Sequence, residues 1–301
     1  MDLGTNTFHL LIAEGSPSNF IEIVREQDAV KLGEGGINKG FIQPAAFERG
    51  ISTMQRFHAL IEKHDVQQVR AIATSALRSA ANGQDFIDEV KTTTGIAIEV
   101  INGDIEAAFI YKGIKAADII SRHNSLIVDI GGGSAEFIIC NAAEILWKES
   151  FEIGAARLMD RFHRTDPIPP ESIDALNLYL EDCLKNLITA ASAYAIDNMI
   201  GSSGVFESYA EVIESAKGNP FDLKKIKHYA FNQNELLALI EKIVLSTHQE
   251  RLNNTAIISI RVDMIVTASL LARFVIEKLG ISKVVMSTNS LKEGVLAEMM
   301  G

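Results

Sequence analysis

Cysteine is scarce in this chain, and long apolar runs are absent. The two cysteines, Cys140 and Cys183, form no disulfide framework; each lies in an apolar-periodic segment, which predicts two buried thiols in a reducing compartment. No apolar run reaches the roughly 18 residues that a membrane span needs, because charged residues interrupt the richest stretch, residues 257–279. Asp2 and Gly4 stand where a secretory signal would place basic and apolar residues, so we expect no signal peptide and predict a cytoplasmic protein.

Basic residues are also in the minority. Lys and Arg number 28 against 39 Asp and Glu, which gives a formal net charge of −11. This balance argues against a protein that binds nucleic acids or anionic membranes, although it leaves a small phosphorylated substrate open. The seven histidines show no metal-ligand spacing. With 47% hydrophobic residues over 301 positions, the composition is that of a globular protein; the length favours two domains, and a homodimer remains open.

Strands and helices alternate along the chain, which predicts an α/β protein with parallel strand pairs covered by helices. Strands are predicted at residues 3–13, 20–25, 69–74, 96–101, 126–129, 136–140, 144–150, 198–200 and 283–287. Helices are predicted at residues 44–64, 76 onward, 83–94, 104–120, 155 onward, 171–194, 235–245, 262–279 and 291 onward, with Asp104 as an N-cap and Gly95 as a helix stop. Residues 215–233 are polar and turn-rich and are the best candidate for a mobile loop.

One internal similarity stands out, because residues 2–13 align without gaps on residues 129–140. Both segments read acid, apolar, glycine, two small or polar residues, a hydroxyl, and then an apolar strand after two variable positions. The pattern predicts one duplicated domain, with a strand, a tight turn and a returning strand in each copy, and the two copies facing each other across a cleft. We place the domains at residues 1–120, with residues 290–301 as a candidate completion, and at residues 121–289.

Each turn has the chemistry of a phosphate cradle. Glycines let the backbone approach an anion closely and point several N–H groups at it, and acids at the strand ends suit Mg²⁺, which takes one or two carboxylates plus phosphate and water. Taken singly, either turn is more often a hairpin with glycine at positive φ. The paired occurrence, with an acid in register both times, favours a phosphate-handling cleft. The predicted phosphate-binding residues are Gly4, Thr5, Asn6, Thr7, Gly131, Gly132, Gly133 and Ser134, and the strand-end acids are Asp2 and Asp129.

Three segments resemble the exopolyphosphatase/guanosine-pentaphosphate phosphatase family: residues 2–12, residues 102–107 and residues 129–137. Residues 73–78, 153–158 and 291–296 add matches in the family's order, so the similarity spans nearly the whole chain. The family belongs to the actin-like ATPase superfamily. The resemblance implies two ribonuclease-H-like domains with the active site between them. It also implies removal of a terminal phosphate from inorganic polyphosphate or guanosine pentaphosphate, dependent on Mg²⁺ or another divalent cation.

The same resemblance assigns roles to individual residues. Glu106 matches the family's catalytic glutamate, which implies a general base that orients and deprotonates water. Without the resemblance, the sequence favours an exposed glutamate in the first turn of a helix, where the helix dipole stabilises its charge. Arg78 resembles a family arginine beside the substrate, where the planar guanidinium suits phosphate oxygens. From the sequence alone, a solvated residue on a helix surface is the alternative interpretation. Asp2 and Asp129 resemble metal-associated acids. Glu136 resembles a family acid that contacts the metal or the attacking water. From the sequence alone, the alternative is a surface acid at the edge of a strand.

Some segments depart from the family pattern and leave other functions open. Residues 201–204, Gly-Ser-Ser-Gly, replace a more threonine-rich glycine motif for nucleotide contacts, which weakens the expectation of a guanosine site. Arg261 and Asp263 keep the spacing of a family Arg-x-Asp, but a structural ion pair fits them equally. The alternatives are a kinase or ATPase of the same superfamily, which needs an adenosine pocket, and a non-catalytic protein that binds polyphosphate or a guanosine alarmone.

Overall fold

The computed structural model describes residues 1–16 and 19–301. Its strands are β1 (Asp2–Leu3), β2 (Phe8–Ser16), β3 (Asn19–Asp28), β4 (Ala71–Ala73), β5 (Ile98–Val100), β6 (Asn124–Ile130), β7 (Ala135–Cys140), β8 (Ile145–Phe151), β9 (Ile196–Ser202), β10 (His228–Ala230) and β11 (Val284–Ser287). Its α-helices are α1 (Pro44–Lys63), α2 (Ser75–Ser79), α3 (Gly83–Thr94), α4 (Gly103–Ala116), α5 (Ala155–Phe162), α6 (Pro170–Cys183), α7 (Lys185–Ser192), α8 (Gly204–Ala216), α9 (Gln233–Leu245), α10 (His248–Asn253), α11 (Ile265–Lys278) and α12 (Leu291–Met300).

The two sheets repeat one topology. The first has the order β3-β2-β1-β4-β5, and the second, read from its β8 end, has the order β8-β7-β6-β9-β11-β10. In each, an antiparallel hairpin is followed by parallel strands. The duplication extends to the pairing register, since Asp2 pairs with His9 as Asp129 pairs with Glu136. The predicted α/β fold with two related domains and a cleft between them is confirmed.

Strands β4, β6 and β7 are buried on both faces, because helices cover both sides of the sheets there, and their sequences are therefore apolar with little alternation. In β6, Leu126 and Val128 belong to a buried cluster with the helices of the second half, whereas Ile127 faces a central cluster. That central cluster contains residues of α4 and α12, so these two helices lie between the sheets. No helix within residues 1–16 and 19–301 has both the length and the apolar character of a membrane span. The predicted domain boundary at residue 120 stays a prediction.

Helices α4 and α12 cross at two glycines. A Cβ atom on Gly113 would lie 2.0 Å from the carbonyl oxygen of Ser290, and one on Gly294 would lie 1.9 Å from the carbonyl oxygen of Phe109. Only hydrogen at these positions lets the two backbones touch, which also sets the separation of the sheets that pack against them.

Several predicted elements need correction. Helix α4 begins at Gly103 with Asn102 as its N-cap, because the Asn102 side chain accepts a hydrogen bond from the Ile105 amide at 2.9 Å; Asp104, predicted as the cap, lies inside the first turn. The single helix predicted at residues 171–194 is two helices, α6 and α7, separated at Leu184. The turn-rich stretch at residues 215–233 includes β10, which pairs with β11, and its mobility stays a prediction.

We expect Gly113→Ala to lower the free energy of unfolding by about 1–3 kcal/mol, because the added methyl group overpacks the crossing of α4 and α12. Urea unfolding measures this change. Ala116→Ser is the matched control, since it adds one atom at an exposed position of the same helix and should cost no more than about 0.5 kcal/mol. Equal stability of wild type and Gly113→Ala would contradict the close backbone contact.

Candidate active site

The two turns have the same internal geometry. The first joins β1 to β2, and the Gly4 amide donates to the carbonyl of Thr7 at 3.1 Å; the second joins β6 to β7, and the Gly131 amide donates to the carbonyl of Ser134 at 3.0 Å. Within residues 1–16 and 19–301, the glycines with positive φ all lie outside these turns. The hairpin alternative, in which glycine serves a left-handed turn, therefore does not explain them.

Close approach explains the glycines instead. A Cβ on Gly132 would lie 2.2 Å from Nδ2 of Asn6, and one on Gly133 would lie 2.6 Å from Oγ1 of Thr5. Asn6 and Thr5 belong to the opposite turn, so the two turns contact each other across the cleft. The predicted juxtaposition of the duplicated segments is therefore present.

The carbonyl groups of both turns accept hydrogen bonds from other segments, whereas several amides of the turns have no partner in the described part of the chain. In the part of the chain that the structure describes, no hydrogen-bond acceptor is found for the amides of Thr5, Asn6, Gly132 and Gly133. Backbone amides of other segments bond the carbonyls instead: Gly33 to Thr5, Lys31 to Asn6, Ala155 to Gly131, Ala156 to Gly132 and Gly154 to Gly133, over 2.7–3.1 Å. Such an array of unpaired N–H groups is an anion-binding arrangement.

A cavity of about 690 Å³ lies between the two halves and is lined by both turns. It brings together the predicted site residues Asp2, Gly4, Thr5, Asn6, Thr7, Glu106, Asp129, Gly131, Gly132, Gly133, Ser134 and Glu136. Arg78 is not among its lining residues within the described chain.

Glu106 lies in the first turn of α4 and is 6% exposed, so the reading as a solvent-exposed glutamate is wrong. Its Oε2 atom accepts a hydrogen bond from Nη1 of Arg78 at 3.0 Å, whereas no partner of Oε1 is found in the described part of the chain. Burial raises the pKa of Glu106, Arg78 opposes the shift, and the charges of Asp2 and Asp129 add to it. A carboxylate with a raised pKa and one unoccupied oxygen beside a cavity is suited to accept a proton near neutral pH.

The other carboxylates of the cavity are also raised in pKa. Burial raises the pKa of Asp2 to about 6. Burial raises the pKa of Asp129, while the hydroxyls of Ser202 and Ser290, which donate to it, oppose the shift. Glu136 is 1% exposed, which excludes a surface role; burial, then the charges of Glu106 and Asp129, raise its pKa.

Arg78 lies behind Glu106 and spans the two halves. Its Nη1 donates to Glu106 and to the carbonyl of Ile101, and its Nη2 donates to Oε1 of Glu152 at 2.9 Å. Glu152 also accepts from Nη2 of Arg157 at 2.7 Å. Burial tends to raise the pKa of Glu152, but the hydrogen bonds and charges around it hold that pKa below its usual range.

Sequence reasoning assigned no role to Glu152, Arg157, Lys292 and His9. Arg157 and Lys292 lie in matched family segments, residues 153–158 and 291–296, which was the available signal. Arg261 and Asp263 do not pair with each other: Arg261 bonds Glu207 at 2.5 Å, and Asp263 lies 3.4 Å from Lys31. Both cysteines are free; Cys140 is buried as predicted and Cys183 is half-buried.

A sequence profile of the Ppx/GppA phosphatase family matches residues 11–301. The chain belongs to that family. The resemblance inferred from three short segments is confirmed, and the protein is a phosphatase.

Individual relatives extend the match. A crystal structure of an exopolyphosphatase from Cytophaga hutchinsonii is 41% identical, with a TM-score of 0.96 over 99% of this chain and 96% of that one. A Haemophilus influenzae protein that bears the name of a candidate exopolyphosphatase is 26% identical over 98% of this chain and 89% of its own length. A bifunctional 3-dehydroquinate synthase/phosphatase of Fusobacterium nucleatum is 28% identical over 99% of this chain, which spans 46% of that protein.

We expect Gly132→Ala to lower the kcat/KM of this phosphatase about 100-fold, because the methyl group displaces Asn6 and separates the two turns by roughly an ångström. Phosphate release measures the loss, and urea unfolding shows that the variant is folded. Full activity in a folded Gly132→Ala variant would mean that catalysis does not need the contact between the turns.

Proposed function

We propose that this phosphatase removes the terminal phosphate of inorganic polyphosphate, with Glu106 as the general base. The observation that carries the proposal is the position of Glu106, which lines the cavity between two matched turns whose amides lack acceptors in the described chain, and whose Oε2 alone is bonded by Arg78. Polyphosphate is the substrate class because two of the relatives named above are called exopolyphosphatases, one of them as a candidate.

The two turns serve consecutive phosphates of the chain. The amides of Thr5 and Asn6 bind one phosphate and those of Gly132 and Gly133 bind its neighbour, with side chains of Thr7 and Ser134 as further donors. Glu106 then orients a water molecule through Oε1 and takes its proton as the oxygen attacks the terminal phosphorus. Arg78 keeps the other oxygen of Glu106 occupied, so a single oxygen faces the water.

The carboxylates around the cavity fit a divalent cation that the substrate helps to bind. Within residues 1–16 and 19–301, no group of three or more His, Cys, Asp or Glu is compact enough to hold a metal ion alone. Mg²⁺ commonly takes one or two carboxylates plus phosphate and water, so Asp2 and Asp129 fit it, with Glu136 close behind. Burial raises the pKa of all three carboxyl groups, and a bound cation would favour their ionised forms. When bound, the cation would offset charge on the transferred phosphoryl group.

The lining of the cavity favours an inorganic chain over a nucleotide. Lys224, Lys227 and Lys292 are among its lining residues, and none of those within the described chain is Phe, Tyr or Trp, on which a base could stack. Burial, then the charges of Lys292, Arg25 and Arg261, hold the pKa of His9 well below its usual range, which shows that cations converge there. A chain of phosphates is complementary to this charge.

Two other functions compete with this one. An ATPase would hydrolyse ATP, and a kinase would transfer its terminal phosphoryl group. A non-catalytic protein would bind polyphosphate or a guanosine alarmone without releasing phosphate. The buried Glu106 beside the turns favours hydrolysis over binding alone, and a lining without aromatic residues, among residues 1–16 and 19–301, disfavours a nucleotide.

We expect Glu106→Gln to lower kcat for phosphate release from tripolyphosphate with Mg²⁺ by about 10²–10⁴, the usual contribution of a general base. Gln keeps the size and the bond to Arg78 but cannot take a proton. Asp104→Asn is the matched control, because it removes an exposed carboxylate from the same helix turn and should leave kcat unchanged. Unchanged turnover by a folded Glu106→Gln variant would remove Glu106 from the mechanism.

We expect the double substitution Lys224→Met and Lys227→Met to raise KM for long polyphosphate about fivefold, with a smaller effect at high salt, because two exposed cations at the cavity mouth are lost. Steady-state kinetics over tripolyphosphate, long polyphosphate, guanosine pentaphosphate and ATP, with and without Mg²⁺, measure the change.

Lys225→Met is the control, since Lys225 lies between the two lysines in sequence but does not line the cavity. Guanosine pentaphosphate or ATP as the best substrate of the wild type would overturn the proposed substrate class, and a long-chain KM that moves equally in Lys225→Met would assign the effect to net charge alone.

A further inference from the structure

We propose that Glu152 is a positioning residue that holds Arg78 across the cleft and, through Arg78, fixes the orientation of Glu106. The proposal rests on the general-base function proposed above for Glu106. Glu152 does not line the cavity in the described part of the chain, so it acts on the reaction only through its neighbours.

Glu152 follows β8 in the second half of the chain and binds three donors. Its Oε1 accepts from Nη2 of Arg78 at 2.9 Å, and its Oε2 accepts from the hydroxyl of Ser75 at 2.6 Å and from Nη2 of Arg157 at 2.7 Å. Ser75 and Arg78 belong to α2 in the first half. Both carboxylate oxygens are therefore engaged, and the group joins the two halves.

Arg78 is fixed at both terminal nitrogens. Nη1 donates to Oε2 of Glu106 and to the carbonyl of Ile101, each at 3.0 Å, while Nη2 is held by Glu152. A guanidinium is a rigid planar fork, so fixing Nη2 fixes the direction from which Nη1 reaches Glu106. Without Glu152, Arg78 keeps its partners on Nη1 only, so its guanidinium is held less firmly and the direction of Oε1 of Glu106 is less well defined.

Arg157 connects this node to the second turn. Its Nε donates to the carbonyl of Gly133 at 2.8 Å, and its Nη1 donates to the carbonyl of Ile37 in the first half at 2.7 Å. The same guanidinium therefore contacts the turn and Glu152. The base is set in place only when the two halves are together, which couples closure of the cleft to activation of water.

The decisive variant is Glu152→Gln, which keeps the shape but removes the charge and one of the two acceptor oxygens. With tripolyphosphate, we expect kcat to fall about 10- to 100-fold, the cost of a misplaced catalytic group, while KM stays within about twofold. Asn38→Ala is the matched control, because Asn38 bonds Asp160 at 2.8 Å and the Arg157 carbonyl at 3.1 Å across the same seam without contacting Glu152 or Arg78. It should change neither parameter by more than about twofold.

The loss of kcat caused by Glu152→Gln is then measured in an Arg78→Lys background, because a lysine cannot bridge Glu106 and Glu152. Glu152→Gln should cost little there, because its effect passes through Arg78; fully additive losses would overturn the proposal. So would a change confined to KM, or a kcat loss in Asn38→Ala equal to that in Glu152→Gln. If Glu152→Gln keeps full kcat while Glu106→Gln loses it, the positioning role is wrong and the proposed function stands; if Glu106→Gln is also active, the proposed function itself fails.

Discussion

The contact of Gly132 and Gly133 in one turn with the side chains of Asn6 and Thr5 in the other is the constraint on which the rest of the site depends. Gly132 and Gly133 come within van der Waals distance of Thr5 and Asn6, and any side chain in their place would separate the halves. The distance between the two halves is set by α4 and α12, which lie between the sheets and contact each other at glycines. Glu106 sits at the start of α4, so the packing that joins the helices also carries the carboxylate to the turns.

The two copies of the hairpin have kept their backbone and diverged in charge. The acid that begins each turn is present in both, but the residue opposite it in the pairing register is Glu136 in one copy and His9 in the other. Burial, then the charges of Glu106 and Asp129, raise the pKa of Glu136, whereas burial, then nearby Lys and Arg charges, lower the pKa of His9. One duplicated frame thus places a carboxyl group at this position in one copy and an imidazole in the other, while the acid that begins the turn is the same in both.

Local signals were enough to predict the frame. The repeated acid, glycine and hydroxyl located both turns, the helix predicted from residue 44 begins there, and Gly95 follows the end of α3 as predicted. Asn102 and Asp104 are both good cap residues two positions apart, so only the path of the chain out of β5 decides between them. The pattern of apolar residues continues through Leu184, which hid the break between α6 and α7.

The relation of Arg78 to Glu106 and Glu152 could not be predicted for a different reason. These residues lie in three separate segments, and their pairing exists only after both sheets have formed and met. The family resemblance marked Arg78 and Glu106 one by one but carried no information on which atom faces which. A charged residue such as Glu152, which acts through its neighbours, cannot be recognised from hydrophobic periodicity or motif spacing, because its partners are determined by tertiary contacts.

The clustering of carboxylates has a cost to the fold that explains why the cleft is built to receive charge. Asp2, Glu106, Asp129 and Glu136 all have pKa values raised by burial, so the folded protein binds protons that the unfolded chain releases. Their contribution to the free energy of unfolding is therefore greatest below the ordinary carboxyl range and decreases as the pH rises through it towards the raised values. The apolar packing of α4 and α12, together with the charges of Arg78 and Lys292, offsets this cost at neutral pH. A cation beside these carboxyl groups would favour their ionised forms, and any ligand that binds only the folded protein adds to its stability.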